Sequence, residues 1–276
     1  MHALPLYIVD AFTATPFRGN PASVCLLERE LSEATMQAIA AEMKHSETAF
    51  ALPLDGPPRR ATRFALRWFT PEVEVPLCGH ATLATAAVIL CELANPGHEI
   101  HFETQSGRLS ARRDGGCIAL DFPAEDFRPT AVAPEVSAAL GACEVKAACY
   151  ARKDRNLLLH LGRESEVRDL APDFTRLRAA RGNAPFLGVI VTAAGSGDYD
   201  FVSRYFAPWV GIDEDPVTGA AHCALAPYWA SLTGKCAMRA YQASRRGGEM
   251  TVRCKGERVE LVGDAVIVAV ATLRLE

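Results

Sequence analysis

The sequence has no C-x-x-C pair and an odd number of cysteines, nine, so neither a zinc knuckle nor a closed disulfide framework is indicated. It has no long run of one charge sign. Its 29 Lys and Arg against 33 Asp and Glu give a net charge of −4 and no electrostatic footprint for nucleic acid. The longest apolar stretch, Ala81 to Cys91, is about eleven residues, short of the roughly 20 that cross a bilayer, so no membrane partner is expected. Met1 to Asp10 carries no basic segment ahead of its apolar run, so no secretory signal is expected and a cytoplasmic address follows. A Walker sequence, a Rossmann fingerprint and a zinc-protease helix are all missing. Gly195-Ser196-Gly197 lies outside the strand-to-helix context that phosphate binding needs, so no nucleotide, flavin or metal cofactor is expected.

What remains is 276 residues of ordinary globular composition, 49% hydrophobic and 22% charged, long enough for two domains. Short turn-bounded strand patterns dominate: Leu6 to Ala11, Ala22 to Leu27, Thr48 to Leu54, Ala61 to Phe69, His98 to Thr104 and Cys117 to Phe122 in the first half. The second half continues with Val145 to Ala151, Asn156 to Leu161, Leu187 to Thr192, Tyr199 to Phe206, Met250 to Cys254, Arg258 to Leu261 and Ala265 to Leu273. Ser32 to Met43 reads as an amphipathic helix behind an N-cap serine. Ala81 to Glu92 and Gly219 to Leu232 are apolar almost all round, the pattern of helices enclosed by a curved sheet.

The two enclosed helices follow similar words, Arg67-Trp68-Phe69-Thr70-Pro71 and Arg204-Tyr205-Phe206-Ala207-Pro208. Cys78 stands as far beyond Arg67 as Asp215 stands beyond Arg204, and each precedes a glycine-containing helix start. The expectation is a duplication, with Cys78 and Asp215 at matched positions. The halves divide near Gly115 to Asp126, giving residues 1–118, which the last few C-terminal residues complete, and residues 119–276. Under a pseudo-two-fold relation the two helix N-termini converge and offer unpaired N–H groups to a small organic anion.

Several side chains around those starts could do chemistry. Cys78 is either a packed small hydrophobe or a thiol activated by the helix end. Asp215 is either a second acid or base or an N-cap followed by Pro216. His80 shares the turn of Cys78 and would be held neutral there, whereas His222 reads as a satisfied core histidine. Glu47 lies at an element end, and taken alone it reads as solvated surface. Gln105-Ser106-Gly107 and Gly19-Asn20-Pro21 are adequately explained as turns.

Taken together and in order, six motifs resemble the phenazine-biosynthesis PhzF-like family, a branch of the diaminopimelate epimerase-like fold. They are Asp10-Ala11-Phe12 with Gly19-Asn20-Pro21, Ser46-Glu47-Thr48 with Phe50, Phe69-Thr70-Pro71, Cys78-Gly79-His80, Glu103-Thr104-Gln105-Ser106-Gly107, and Glu214-Asp215-Pro216-Val217-Thr218-Gly219. The resemblance implies an α+β fold of two pseudo-symmetric halves, each a curved, mostly antiparallel sheet or barrel wrapped round a central helix, with the site between them. It implies that Glu47 shuttles a proton with help from His80 and Asp215. It places Gly79, Gly219, Ala220, Gln105, Ser106 and Asn20 at a small carboxylate substrate, with no cofactor and a homodimeric assembly. Two departures stand out: Cys78 occupies a position where the phenazine enzyme has no cysteine but the epimerases do, and Ala220 lacks the hydroxyl often found after that glycine. The second epimerase cysteine is expected at Asp215. Three functions follow as expectations: a cofactor-independent isomerase, a racemase or epimerase using Cys78, and a binding or scaffold protein that has lost its reaction.

Overall fold

A computed structural model describes residues 2–142, 144–151, 153, 155–182 and 186–275. They group into two compact units, one formed by the residues up to Phe122 together with those from Glu260 onward, the other by Pro123–Val259. The architecture is α+β.

The first unit runs β1 (His2–Ala11), β2 (Asn20–Leu26), α1 (Glu33–Met43), β3 (Glu47–Pro53), β4 (Arg63–Phe69), β5 (Glu74–Val75), α2 (Gly79–Ala87), a π-helical turn (Val88–Glu92), β6 (Glu99–Thr104), β7 (Gly107–Asp114) and β8 (Cys117–Pro123). The second runs β9 (Phe127–Pro129), α3 (Pro134–Leu140), β10 (Val145–Ala151), β11 (Asn156–Leu161), α4 (Glu164–Arg168), α5 (Phe174–Ala180), β12 (Gly188–Ala194), β13 (Phe201–Ala207), a 3-10 turn (Pro208–Val210), β14 (Ile212–Asp215), α6 (Gly219–Thr233), β15 (Ala237–Gln242) and β16 (Gly248–Lys255). Along β17 (Arg258–Gly263) the chain returns to the first unit, where β18 (Ala265–Leu275) pairs antiparallel with the whole of β1.

The strand pairings repeat. β1 and β2 are antiparallel, β2 and β3 are parallel across α1, β3 and β4 are antiparallel, β4 and β6 are parallel across α2, and β6 and β7 are antiparallel. In the second unit β10 to β13, β15 and β16 follow the same sequence of senses, with α4 and α5 in the first crossover and α6 in the second. Side-chain chemistry repeats as well. Arg67 donates through Nε and Nη2 to Glu74, both at 2.6 Å, and Arg204 does the same to Glu214 at 2.7 and 3.0 Å. Each guanidinium also covers a phenylalanine ring, Phe69 or Phe206.

The helices explain the burial of the strands. α2 is buried from His80 to Ala87 and packs on β1, β2 and β3, which suits its run of Ala and Thr to close approach of the sheet. On the opposite side Met36, Ile39 and Ala40 of α1 join Leu4, Leu6, Cys25 and Phe50 in a second apolar layer. Strands covered on both faces read as nearly continuous apolar runs, as β2 does. Helix α1 starts where the sequence signals it, with the Ser32 hydroxyl accepting the Thr35 N–H at 3.1 Å.

The matched register corrects one expectation. In the two antiparallel pairs, Trp68 faces Val75 and Tyr205 faces Asp215, so Asp215 corresponds to Val75. The repeated word is therefore Glu74-Val75-Pro76-Leu77-Cys78-Gly79 against Glu214-Asp215-Pro216-Val217-Thr218-Gly219, and the counterpart of Cys78 is Thr218. Counting from the arginines misleads because the 3-10 turn at Pro208–Val210 lengthens the second connection.

Candidate functional site

In the first unit three chemically distinct side chains meet. Glu47 opens β3, level with Ala22 of β2. Cys78 is the N-cap of α2 and makes no side-chain cap bond, so the first N–H groups of that helix are left unfilled by their own cap. His80 lies in the first turn. Its Nδ1 is 3.5 Å from Cys78 Sγ and its Nε2 is 3.3 Å from Glu47 Oε2. One donor atom from each of the three residues lies within 4.8 Å of the others, the one such group of His, Cys and carboxylate side chains among the described residues. These are the side chains that could share a soft divalent cation.

The electrostatics decide what kind of contact this is. Burial, reinforced by the nearby charge of His45, pushes the His80 imidazole down to about 3. The ring is therefore neutral, and the 3.3 Å approach to Glu47 joins a carboxyl group to a neutral imidazole rather than forming an ion pair. That approach also lacks hydrogen-bond alignment at Nε2. Only 13% of the Glu47 side chain is exposed, so the solvated-surface reading of this residue is wrong. β2 and α2 cover it, through contacts distant in sequence.

The surrounding polar residues fix this corner. Asn20, fully buried at the head of β2, accepts the Ser46 hydroxyl through Oδ1 at 3.3 Å. Gly19 before it has φ of +63°, and a Cβ there would collide with the Ala11 carbonyl, which accounts for glycine in the turn. Ser23 Oγ lies 2.7 Å from His45 Nδ1, two residues before Glu47. Gln105 and Ser106 are exposed in the β6–β7 turn. Ser106 donates to the Pro76 carbonyl at 2.8 Å, and Gln105 bonds Glu74, whose carboxyl is held below its ordinary value chiefly by Arg67. Both thus brace the segment that leads into Cys78 and Gly79.

In the second unit Asp215 ends β14 and is buried. It is not the N-cap of α6: Thr218 is, and the Thr218 hydroxyl donates to Asp215 Oδ2 at 2.5 Å. The buried Gln242, which sequence reasoning missed, organises this corner. Its Oε1 accepts the Thr218 N–H at 2.8 Å, and its Nε2 donates to the Asp215 carbonyl at 2.7 Å. Gln242 ends a strand too polar to be recognised from its pattern; Thr218 was visible in the repeated word once the register is known. Gly219 and Ala220 form the first turn of α6. His222 donates through Nδ1 to the Thr218 carbonyl, 2.8 Å away, and Thr82 donates to the Cys78 carbonyl at 2.6 Å, the same helical position in the two units. His222 is only half satisfied, because its buried Nε2 has no partner. A cavity of about 250 Å³ lined by Arg128, Tyr150, Leu157 and Phe186 includes none of the site residues named above.

Residues 9–271 match the family model described as phenazine biosynthesis-like protein. The chain is 47% identical to phenazine biosynthesis-like domain-containing protein 1 of Mus musculus, over 98% of this chain and 99% of that one. It is 46% identical to an uncharacterized isomerase of Pseudomonas aeruginosa, over 99% of both chains. A crystal structure of a PhzF-family phenazine biosynthesis protein from Enterococcus faecalis is similar with a TM-score of 0.91 and 42% identity, covering 99% of this chain and 100% of that one.

Proposed function

Because the chain belongs to the phenazine biosynthesis-like family, we propose that it is a cofactor-independent isomerase in which Glu47 moves a proton on a small carboxylate-bearing substrate. The observation that carries this reading is the buried contact of Glu47 with the neutral His80 beside the open end of α2. A carboxylate held largely out of water, as Glu47 is, can take a proton from carbon next to a carboxylate and return it elsewhere on a conjugated skeleton. A neutral imidazole supports that cycle without trapping the proton, since its own affinity has been lowered far below that of an ordinary histidine. With one ring proton only, the contact of Cys78 at Nδ1 bears on which ring nitrogen carries it. The helix end adds partial positive charge where negative charge develops.

The racemase reading rests on the presence of Cys78 in this group. It is the weaker one, because the counterpart of Cys78 is Thr218, whose hydroxyl is already engaged by Asp215. A threonine cannot stand in for a second thiol as acid and base at neutral pH.

The test is proton NMR in deuterated water with a panel of amino, hydroxy and dihydroaromatic carboxylic acids. Deuterium should enter at carbon and at a position that reports migration rather than inversion. Glu47→Gln should lower the exchange rate by about 10²-fold to 10⁴-fold with folding intact, whereas Cys78→Ala should leave it within about tenfold. Equal losses in the two variants would move the chemistry to the thiol, and no exchange with any acid would favour a binding protein. Asp215→Asn tests the expectation that the second unit serves the same turnover. A fall in kcat would support it, and unchanged kinetics would remove Asp215 from the site.

A further inference from the structure

Cys236 and Cys254 play no part in this chemistry, yet the sheet sets them against each other. The β15–β16 register runs from Gln242 opposite Gly248 to Ala237 opposite Arg253, and the next pair outward is Cys236 with Cys254. The Cys254 N–H donates to the Cys236 carbonyl at 2.8 Å, which continues the ladder to that pair. Opposed residues of a hydrogen-bonded antiparallel pair share one face with Cα atoms about 5.5 Å apart, within the range a disulfide bridges. Cys236 is exposed and Cys254 partly so, and both are thiols in the structure. Other cysteines on paired strands face different residue types: Cys25 faces Leu6 and Phe50, Cys149 faces Leu158 and Pro129, and Cys117 faces Asp114. Cys236 also lies just outside β15, in a bend.

We propose that Cys236 and Cys254 are a modification site, a surface dithiol that closes to an intramolecular disulfide by exchange with a low-molecular-weight disulfide. The Cys236 thiolate attacks one sulfur of that disulfide, forming a mixed disulfide and releasing one thiolate. The Cys254 thiolate then attacks the Cys236 sulfur, forming the bridge and releasing the second. The two protein thiols lose two electrons and two protons, and the small disulfide is reduced to two thiols. Cys236 is the point of entry because it is exposed, whereas burial and the neighbouring Cys236 hold the Cys254 thiol above its ordinary value. The bridge ties off the end of the ribbon remote from Gln242, which holds the start of α6.

The experiment incubates the reduced wild-type protein, Cys236→Ser and Cys254→Ser with oxidised glutathione, followed by intact mass, peptide mapping and thermal unfolding. The wild type should lose two hydrogens at the Cys236 and Cys254 pair and retain no glutathione there, whatever the exposed Cys91 takes up. Its Cys236 and Cys254 peptides should be cross-linked, and dithiothreitol should reverse the change. Its Tm should rise by about 5 °C on oxidation, because the closed loop restricts the unfolded chain. Cys254→Ser should hold glutathione on Cys236, and Cys236→Ser should form no bridge. An unchanged wild-type mass, glutathione retained on either residue, or a cross-link to any other cysteine overturns the proposal.

Discussion

Two histidines near the starts of helices α2 and α6 are held out of water, and their titration should be visible in stability. Burial pushes His80 down to about 3 and His222 down to about 4, the latter against a smaller opposing effect of the Thr218 carbonyl. Unfolded, each takes up a proton below its ordinary value of about 6.5, whereas the native protein does not. Stability therefore falls as pH drops from there toward the native values, by about 1.4 kcal/mol per pH unit for each histidine. His222→Gln should remove one of these two contributions. In denaturant titrations between about pH 7 and pH 5, its slope of stability against pH should be shallower than that of wild type by about 1 kcal/mol per unit on average. Equal slopes would mean that His222 titrates alike in the native and the unfolded protein. Sequence pattern marks His80 and Cys78 as neighbours at a helix start, but it does not reveal that Glu47 joins them. That contact depends on β2 and α2 closing over the first residue of β3, which local pattern cannot report.

At the scale of elements, the duplicated arginines allow a controlled comparison. Both make a forked pair with glutamate, but 34% of the Arg67 side chain is exposed against 11% for Arg204. Arg204 also donates through Nη1 to the Leu170 carbonyl at 2.7 Å, beyond the end of α4. Lysine cannot supply both the fork and this third bond. Arg204→Lys should cost about 3 kcal/mol in denaturant unfolding, and Arg67→Lys about 1 kcal/mol. Similar losses would show that the carbonyl bond contributes nothing and that only the fork matters. The central helices were legible because α2 and α6 are apolar all round, although α2 gives way at Val88–Glu92 to a π-helical turn that the pattern does not mark. β7 and β15 were not legible: Arg108, Arg112, Arg113 and Asp114 in one, and Arg239 and Gln242 in the other, mask the alternation of their buried positions. The outer helices α3, α4 and α5 are too short for a 3.6-residue period to stand out.

The duplication also shows how the molecule uses the two ends of its chain. In the second unit the strand beside β10 is β9, which precedes it in sequence. In the first unit the corresponding place beside β1 is filled by β18, from the other end of the chain. The pairing is antiparallel, with His2 opposite Leu275 and Ala11 opposite Ala265, so the two chain ends lie at one end of the ladder. Neighbouring ends are what a circular permutation requires. Joining residue 275 to residue 2 with a short Gly-Ser linker and opening the chain at Asp264 would turn β18 and β1 into a hairpin. That variant should keep the far-UV circular dichroism of the wild type and fold faster, because a ladder that spans the whole chain becomes local. Deleting residues 265–276 should instead leave β1 with an unpaired edge and the apolar layer around Leu4 and Leu6 without Leu273, giving insoluble or unfolded protein. If the permutant fails while its linker is long enough to span the gap, β18 must dock last onto an otherwise finished unit. Equal folding rates for permutant and wild type would place the β1–β18 ladder after the rate-limiting step.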